Sequence, residues 1–237
     1  MTPLVPIKIS AKNLGYTALA DFCPRCYWIK LKTSNKLPWQ TFPGIFSSID
    51  AYTKHCVHAI IDRRYGADDI SFLPAWMQEI GNITSYETIP HWSKNLFTDT
   101  KSNIILSGIP DDIWVRADGT KAIVDFKTAK KTQNQDVLYP MYEIQNNVYD
   151  VLFNYHADLY LIYMEPLTEK SAASCNIIDV GFNMGFNAVV VPVVNDRKVV
   201  RQALQITRDV YEMEKPPESR LGCKDCQMLE NVIELLK

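Results

Sequence analysis

Two aspartates and a lysine, Asp111, Asp125 and Lys127, have the residue types and the spacing for metal-assisted hydrolysis. The dipeptide Asp118-Gly119 separates two short β-prone runs, which is typical of a hairpin turn. If the loop has three residues, with Gly119 in the left-handed conformation, Asp111 lies opposite Asp125 with Cβ atoms roughly 5 Å apart. Side chains alternate faces along a strand, so Asp125 and Lys127 then point the same way.

Two carboxylates that close repel each other, and a divalent cation between them removes the repulsion. We therefore predict an Mg²⁺ or Mn²⁺ site on Asp111 and Asp125, with the backbone carbonyl of Phe126 as a further oxygen ligand. Such an ion polarises a phosphodiester oxygen and lowers the pKa of a bound water. Lys127 would orient that water or stabilise the negative charge that develops on the phosphate.

The prediction depends on the register of the hairpin. A two-residue loop would shift the pairing by one position and place Asp111 and Asp125 on opposite faces of the strands. An aspartate pair beside an Asp-Gly turn is also typical of a solvated hairpin, and Lys127 alone is typical of a surface residue.

The order of these motifs resembles the PD-(D/E)XK nucleases, in particular the RecB-type and CRISPR-adaptation nucleases. The motifs are Gly-x-x-Asp ending at Asp111, a hairpin, and Asp-x-Lys ending at Lys127. In those enzymes the following helix carries Gln-x-x-x-Tyr, which Gln145 and Tyr149 match here on one helical face. The resemblance implies a restriction-endonuclease-like core and a deoxyribonuclease, exo- or endonucleolytic, in which both residues position Lys127 or contact the DNA backbone.

One element of that family is missing. Related enzymes often carry a histidine a few residues after a glycine on the upstream helix, as a further metal ligand. No histidine follows Gly44 at that spacing, and His55 and His58 lie further along the helix. We expect Asp50 to substitute as the additional metal ligand.

Four cysteines form two Cys-x-x-Cys pairs near the two ends of the sequence, Cys23 with Cys26 and Cys223 with Cys226. Four thiolates suit tetrahedral Zn²⁺ or an iron–sulfur cluster, and a shared site would hold the two terminal segments together. Separate redox pairs or buried free thiols are the alternatives, although a thioredoxin-like motif would lie near a βαβ unit.

The segment Cys-Pro-Arg-Cys-Tyr-Trp, which begins at Cys23, is similar to the N-terminal cysteine motif of the iron–sulfur RecB-like nucleases. This resemblance implies a 4Fe-4S cluster. Those enzymes commonly use one early and three late cysteines, whereas this chain has two and two, so structural Zn²⁺ stays an alternative. We expect the remaining cysteines, Cys56 and Cys175, to be buried apolar side chains.

The composition and charge of the chain limit the class of protein and the partners that we expect. The 237 residues are 47% hydrophobic and 22% charged, with a net charge of −2, which is typical of a globular protein and gives no evidence for a polyanionic partner. The region from Lys8 to Lys36 is locally basic and could follow phosphates. No membrane-length apolar run or signal peptide is present, so we expect a cytoplasmic protein. The family resemblance implies DNA as partner, and proteins of DNA repair or CRISPR adaptation.

Periodicity predicts an α/β (α+β) fold, a mixed central sheet flanked by helices, in one domain over residues 1–237. Its terminal segments, about 1–35 and 215–237, would be joined by the cysteine site. Predicted helices cover about 10–20, a short segment through 27–31, and 43–62, 140–152, 199–213 and 228–236. Predicted strands cover 83–89, 104–107, 112–115, 122–126, 158–164, 177–182 and 188–194.

No Walker A, Ser-His-Asp or His-Glu-x-x-His motif is present, so these patterns give no support to an ATPase, a serine hydrolase or a zinc protease. The alternative to a nuclease is a catalytically inactive nucleic-acid-binding or scaffold module that keeps the same fold and cysteine site.

Overall fold

The computed structural model describes residues 5–34, 44–63, 70–132, 135–175, 177–179 and 181–236. The helices are α1 (Ala11–Gly15), α2 (Pro24–Lys32), α3 (Gly44–Arg63), α4 (Ala75–Gln78), α5 (Tyr139–Phe153), α6 (Lys170–Cys175), α7 (Arg197–Glu212) and α8 (Lys224–Leu235). The strands are β1 (Ile7–Ser10), β2 (Ile83–Tyr86), β3 (Leu96–Asp99), β4 (Ile104–Ser107), β5 (Asp112–Arg116), β6 (Lys121–Lys127), β7 (Asp158–Pro166), β8 (Ile177–Ile178), β9 (Gly181–Phe182) and β10 (Phe186–Val193).

The central sheet has five strands in the order β10-β7-β6-β5-β2. Its pairs are antiparallel except β6 and β7, which are parallel and joined by the crossover helix α5. A smaller sheet has the order β1-β4-β3, with β1 parallel to β4. The strand β6 therefore lies in the middle of the molecule, where both of its faces are covered.

The two faces of the central sheet bury separate cores. Ile113 and Ile123 belong to a cluster that includes residues of α1, α5 and α7, whereas Trp114 and Val124 belong to a cluster with α3 and α4. Because neighbouring residues on β5 and β6 point to opposite faces, these strands are apolar on both sides. The mixed α+β architecture predicted from the sequence is confirmed.

Several element boundaries differ from the prediction. The strands β1 and β3 were not predicted, and the predicted strand over 177–182 is instead the two short strands β8 and β9. The last helix begins at Lys224 rather than Met228, because Cys223 occupies its N-cap position. Residues 1–4, 35–43 (with Lys36 and Pro43), 64–69, 133–134, 176, 180 and 237 of the predicted domain lie outside the described residues.

Helix α3 is where predicted, but the apolar face that helical spacing predicts for it, Ile45, Ile49, Tyr52 and Cys56, is wrong. Ile45 and Tyr52 are 60% and 64% exposed, and Cys56 is exposed rather than buried. The buried stripe is Thr53, Val57 and Ile61, one residue further round the helix.

The side chain of Cys175 lies outside the described part of the chain. Among the described helices, none has the length and apolar character needed to cross a membrane.

Candidate functional site

The hairpin between β5 and β6 has the register on which the predicted site depends. Arg116 N donates to Thr120 O at 2.9 Å, and Gly119 has a φ of +82°, so the loop has three residues. Asp112 pairs with Val124, which places Asp111, immediately before β5, opposite Asp125. This pairing is confirmed, and the two-residue loop is excluded.

Asp111 and Asp125 influence each other electrostatically. Burial of the Asp111 carboxyl group, followed by the negative charge of Asp125, raises the pKa of Asp111 to about 8. Asp125 is only 2% exposed, and its Oδ2 is buried. The buried carboxylate of Asp125 beside Asp111, whose own pKa is raised, is an oxygen donor set that fits a hard divalent cation.

Lys127 lies in ion-pair contact with Oδ2 of Asp125. Burial alone would lower the pKa of Lys127, but the charges of Asp125 and Asp111 outweigh it and hold that pKa above its ordinary value. Its amine also donates to Oε1 of Gln145 at 3.4 Å and lies 4.3 Å from the ring centroid of Tyr142. Lys127 is therefore a cation held in place between two acids, an amide and an aromatic ring.

Gln145 and Tyr149 of α5 both reach this cluster. Gln145 Nε2 donates to the hydroxyl of Tyr149 at 2.7 Å and approaches Oδ1 of Asp125 at 3.5 Å. Tyr149 is buried beside Gly108, where a Cβ atom would lie 3.0 Å from Cε1 of the tyrosine ring. The glycine of the Gly-x-x-Asp motif thus leaves room for the tyrosine.

Asp50 lies at the edge of the cluster. It accepts a 3.3 Å hydrogen bond from Thr128 Oγ1, and burial raises its pKa while the charge of Lys127 opposes that rise. Among the described residues, no group of three His, Cys, Asp or Glu side chains has ligand atoms within 4.8 Å of one another except the cysteines. The carboxylates of Asp50, Asp111 and Asp125 therefore do not converge that tightly.

Sequence reasoning missed two further contacts of α3. Lys54 Nζ donates to the backbone oxygen of Asp111 at 2.8 Å, and His58 Nε2 lies 2.8 Å from Oδ2 of Asp112. Asp50, Lys54 and His58 are four residues apart, so one face of α3 follows the hairpin. This four-residue spacing was the sequence feature that could have indicated a shared face of α3.

Asp112 points away from the candidate acid pair. It is fully buried, and its Oδ2 accepts a second hydrogen bond from Trp114 Nε1 at 2.9 Å. Phe126, predicted to offer its carbonyl, contacts Asp111 through its backbone N–H. A role for its carbonyl stays a prediction.

The four cysteines form a second centre. The sulfur of Cys26 lies 3.5 Å from that of Cys223 and 3.3 Å from that of Cys226, and Cys23 lies 3.7 Å from Cys226. All four ligand atoms lie within 4.8 Å of one another. The predicted convergence of the two pairs is therefore confirmed, and the group could hold a metal.

Both pairs begin a helix. Cys23 is the N-cap of α2, with Pro24 in the first turn, and Cys223 is the N-cap of α8. Burial would raise the pKa of Cys23, but hydrogen bonds to its sulfur from the backbone N–H groups of Cys26 and Arg220 outweigh it and lower the pKa to about 7. The N-terminus of α2 thus favours the thiolate form of Cys23. Burial instead raises the pKa of Cys26, and it raises the pKa of Cys226 to about 11.

No family model matches the sequence, and no curated protein matches it. One solved structure, described as "Crystal structure of SSO0001", is similar over 96% of this chain and 86% of its own, with 12% identity and a TM-score of 0.43.

Proposed function

We propose that the protein is a metal-dependent nuclease that hydrolyses phosphodiester bonds of DNA. The observation that carries the proposal is the buried pair Asp111 and Asp125, with the raised pKa of Asp111 and the amine of Lys127 against Asp125. An acid pair of this kind favours a divalent cation, and the adjacent ammonium supplies the fixed positive charge that phosphoryl chemistry needs.

The reaction would divide among these residues. Asp111 and Asp125 would hold Mg²⁺ or Mn²⁺, which when bound supplies Lewis-acid polarisation of the phosphate and a more acidic water. Lys127 would donate a hydrogen bond to the attacking water or to a phosphate oxygen. Gln145 holds that amine, and Tyr149 holds Gln145, so the two α5 residues act on the orientation of Lys127.

The test is cleavage of labelled single- and double-stranded DNA, and of RNA, with Mg²⁺, with Mn²⁺ and without either. We expect cleavage to require a divalent cation and to vanish in Asp125→Ala, while the protein stays folded and keeps its cysteine-bound metal. Asp209→Ala, an exposed carboxylate on α7, is the matched control and should cleave normally. Cleavage by Asp125→Ala at the normal rate would overturn the assignment, and binding without cleavage in the unaltered protein would establish the inactive module instead.

For the cysteine centre we propose a single tetrahedral Zn²⁺ rather than the 4Fe-4S cluster that the resemblance implies. With Zn–S bonds of about 2.3 Å, tetrahedral ligands lie about 3.8 Å apart. The contacts of 3.3–3.7 Å between sulfurs support that geometry. A 4Fe-4S cluster binds each thiolate to a different iron, which needs wider spacing. Metal analysis of the protein purified without oxygen tests this: zinc and no colour is the expected result, and a brown protein containing iron overturns it.

A further inference from the structure

A row of aromatic rings and lysines leads from Lys127 to the N-terminal helices. The amine of Lys127 lies over Tyr142, and the amine of Lys30, on α2, lies over Tyr16 at 3.7 Å from the ring centroid. Tyr142 is on α5, which contacts the 3₁₀ turn that begins at Tyr16, and the two tyrosines are close enough for Tyr16 to affect the pKa of Tyr142. Lys30, Tyr16 and Tyr142 are each partly exposed.

The far end of this row is positively charged. Lys12, on α1, is exposed and close enough to Lys30 that the two positive charges repel each other. Burial is the largest cause that lowers the pKa of Lys30, the charge of Lys12 adds to it, and the charges of Asp225 and Cys26 oppose it. An anion placed between the two amines would relieve this repulsion.

The aromatic rings hold the amines in position. A lysine over a tyrosine ring is stabilised by cation–π attraction and loses rotamer freedom before any ligand arrives. Charges fixed at the mouth of an acidic metal site suit a polyanion with regularly spaced negative groups. A single small anion would engage only one of them.

We propose that Lys30 and Lys12, with Tyr16 and Tyr142 between them and Lys127, bind the phosphodiester backbone of the nucleic-acid strand next to the bond that is cut. The inference rests on the proposed function for its substrate, and it assigns to α1 and α2 a binding surface outside the metal ligands. Lys30 would act on binding of long substrates and leave the chemical step unchanged.

The experiment measures binding and cleavage separately. A fluorescent single-stranded oligonucleotide is titrated without added Mg²⁺ or Mn²⁺ at several salt concentrations, against the unaltered protein, Lys30→Ala, Lys30→Arg and Lys198→Ala. Lys198 is an exposed lysine at the start of α7, which follows β10. The last residue of β10, Val193, pairs with Leu159 near the start of β7, whereas Tyr163, the partner of Lys127, lies further along β7. It is therefore a control for loss of one charge elsewhere.

We expect Lys30→Ala to weaken binding about fivefold at low salt and to reduce the salt slope by about one. Lys30→Arg should keep the slope, and Lys198→Ala should bind normally. With metal, Lys30→Ala should raise KM for an oligonucleotide, with kcat unchanged, and leave cleavage of bis(p-nitrophenyl) phosphate unaffected. Normal affinity and slope in Lys30→Ala, or an equal loss in Lys198→Ala, would overturn the inference. If no preparation cleaves but Lys30→Ala alone binds weakly, the proposed function fails while the binding surface stands.

Discussion

The backbone N–H of Phe126 donates a 2.7 Å hydrogen bond to Oδ2 of Asp111. Phe126 is the residue between Asp125 and Lys127, so the peptide that joins the second acid to the lysine also holds the first acid. The relative backbone positions of all three residues are therefore set by one hairpin ladder.

Asp111 should give the metal-free protein an unusual pH dependence of stability. Its pKa is about 8 in the folded protein and 3.8 ordinarily, so the folded state binds this proton more tightly than the unfolded chain does. The free energy of unfolding should therefore fall as pH rises from about 4 to about 8. Urea unfolding without added Mg²⁺ or Mn²⁺ measures this trend. Asp111→Asn, which does not ionise, should flatten it, and an unchanged slope in that variant would contradict the prediction.

The adjacent aspartates should respond differently to the same substitution. Asp112→Asn disturbs a buried acceptor of His58 and Trp114, and we expect a loss of about 1–3 kcal/mol in the free energy of unfolding with normal cleavage per folded molecule. Asp111→Asn should abolish cleavage and leave the metal-free protein at least as stable at pH 8. Denaturant unfolding and cleavage assays on both variants check this, and a similar loss of cleavage in both would refute it.

Gly108→Ala should weaken the protein and disturb the site together. The added Cβ would lie 3.0 Å from Tyr149 Cε1 and 3.2 Å from Cβ of Ala11, so the tyrosine ring must shift. We expect a destabilisation of about 1–3 kcal/mol and slower cleavage, because Tyr149 holds Gln145. Gly44→Ala, where no atom lies within 4 Å of the new methyl group, is the control and should be neutral. Thermal unfolding and kcat of the two variants decide the matter.

Loss of one thiolate should release the cysteine-bound metal. Cys226→Ser removes a buried ligand from the group of four. A metal present at a hundred times its Kd stabilises the folded protein by about 3 kcal/mol, and this stabilisation should disappear in the variant. Cys56→Ser, at an exposed position, should keep both metal and stability. Metal content and Tm are the measurements, and a Cys226→Ser protein with full metal content would argue against a four-thiolate site.

The hairpin could be predicted because its determinants are local. Asp118-Gly119 predicts a turn at this position, and a three-residue loop places Asp111 opposite Asp125. The choice between a two-residue and a three-residue loop was left open by the sequence and is decided by the hydrogen bond from Arg116 N to Thr120 O. The convergence of Cys23 and Cys26 with the second pair was predictable for a different reason, since ligand chemistry requires thiolates to meet whatever path the chain takes.

The contacts of α3 could not be predicted in the same way. A helix with apolar residues on more than one face could bury any of these faces. Tertiary packing buries the face with Thr53 and Val57 and leaves the face with Tyr52 and Cys56 exposed. The contact of Lys54 with the Asp111 carbonyl follows from that choice. It depends on how α3 lies across the hairpin, and the four-residue spacing of Asp50, Lys54 and His58 places these residues on one helical face without saying what that face contacts.

Cys223 is made 197 residues after Cys26. During synthesis, Cys23 and Cys26 supply only two of the four thiols until Cys223 and Cys226 are made, by which time nearly every strand and helix has been synthesised. Binding of an ion by all four cysteines would therefore be a late step of assembly, and it would link α2 to α8 only after the strands and helices between them have been made. A chain that ends before Cys223 would contain the hairpin and α5, but α2 would lack its link to the C-terminal cysteines.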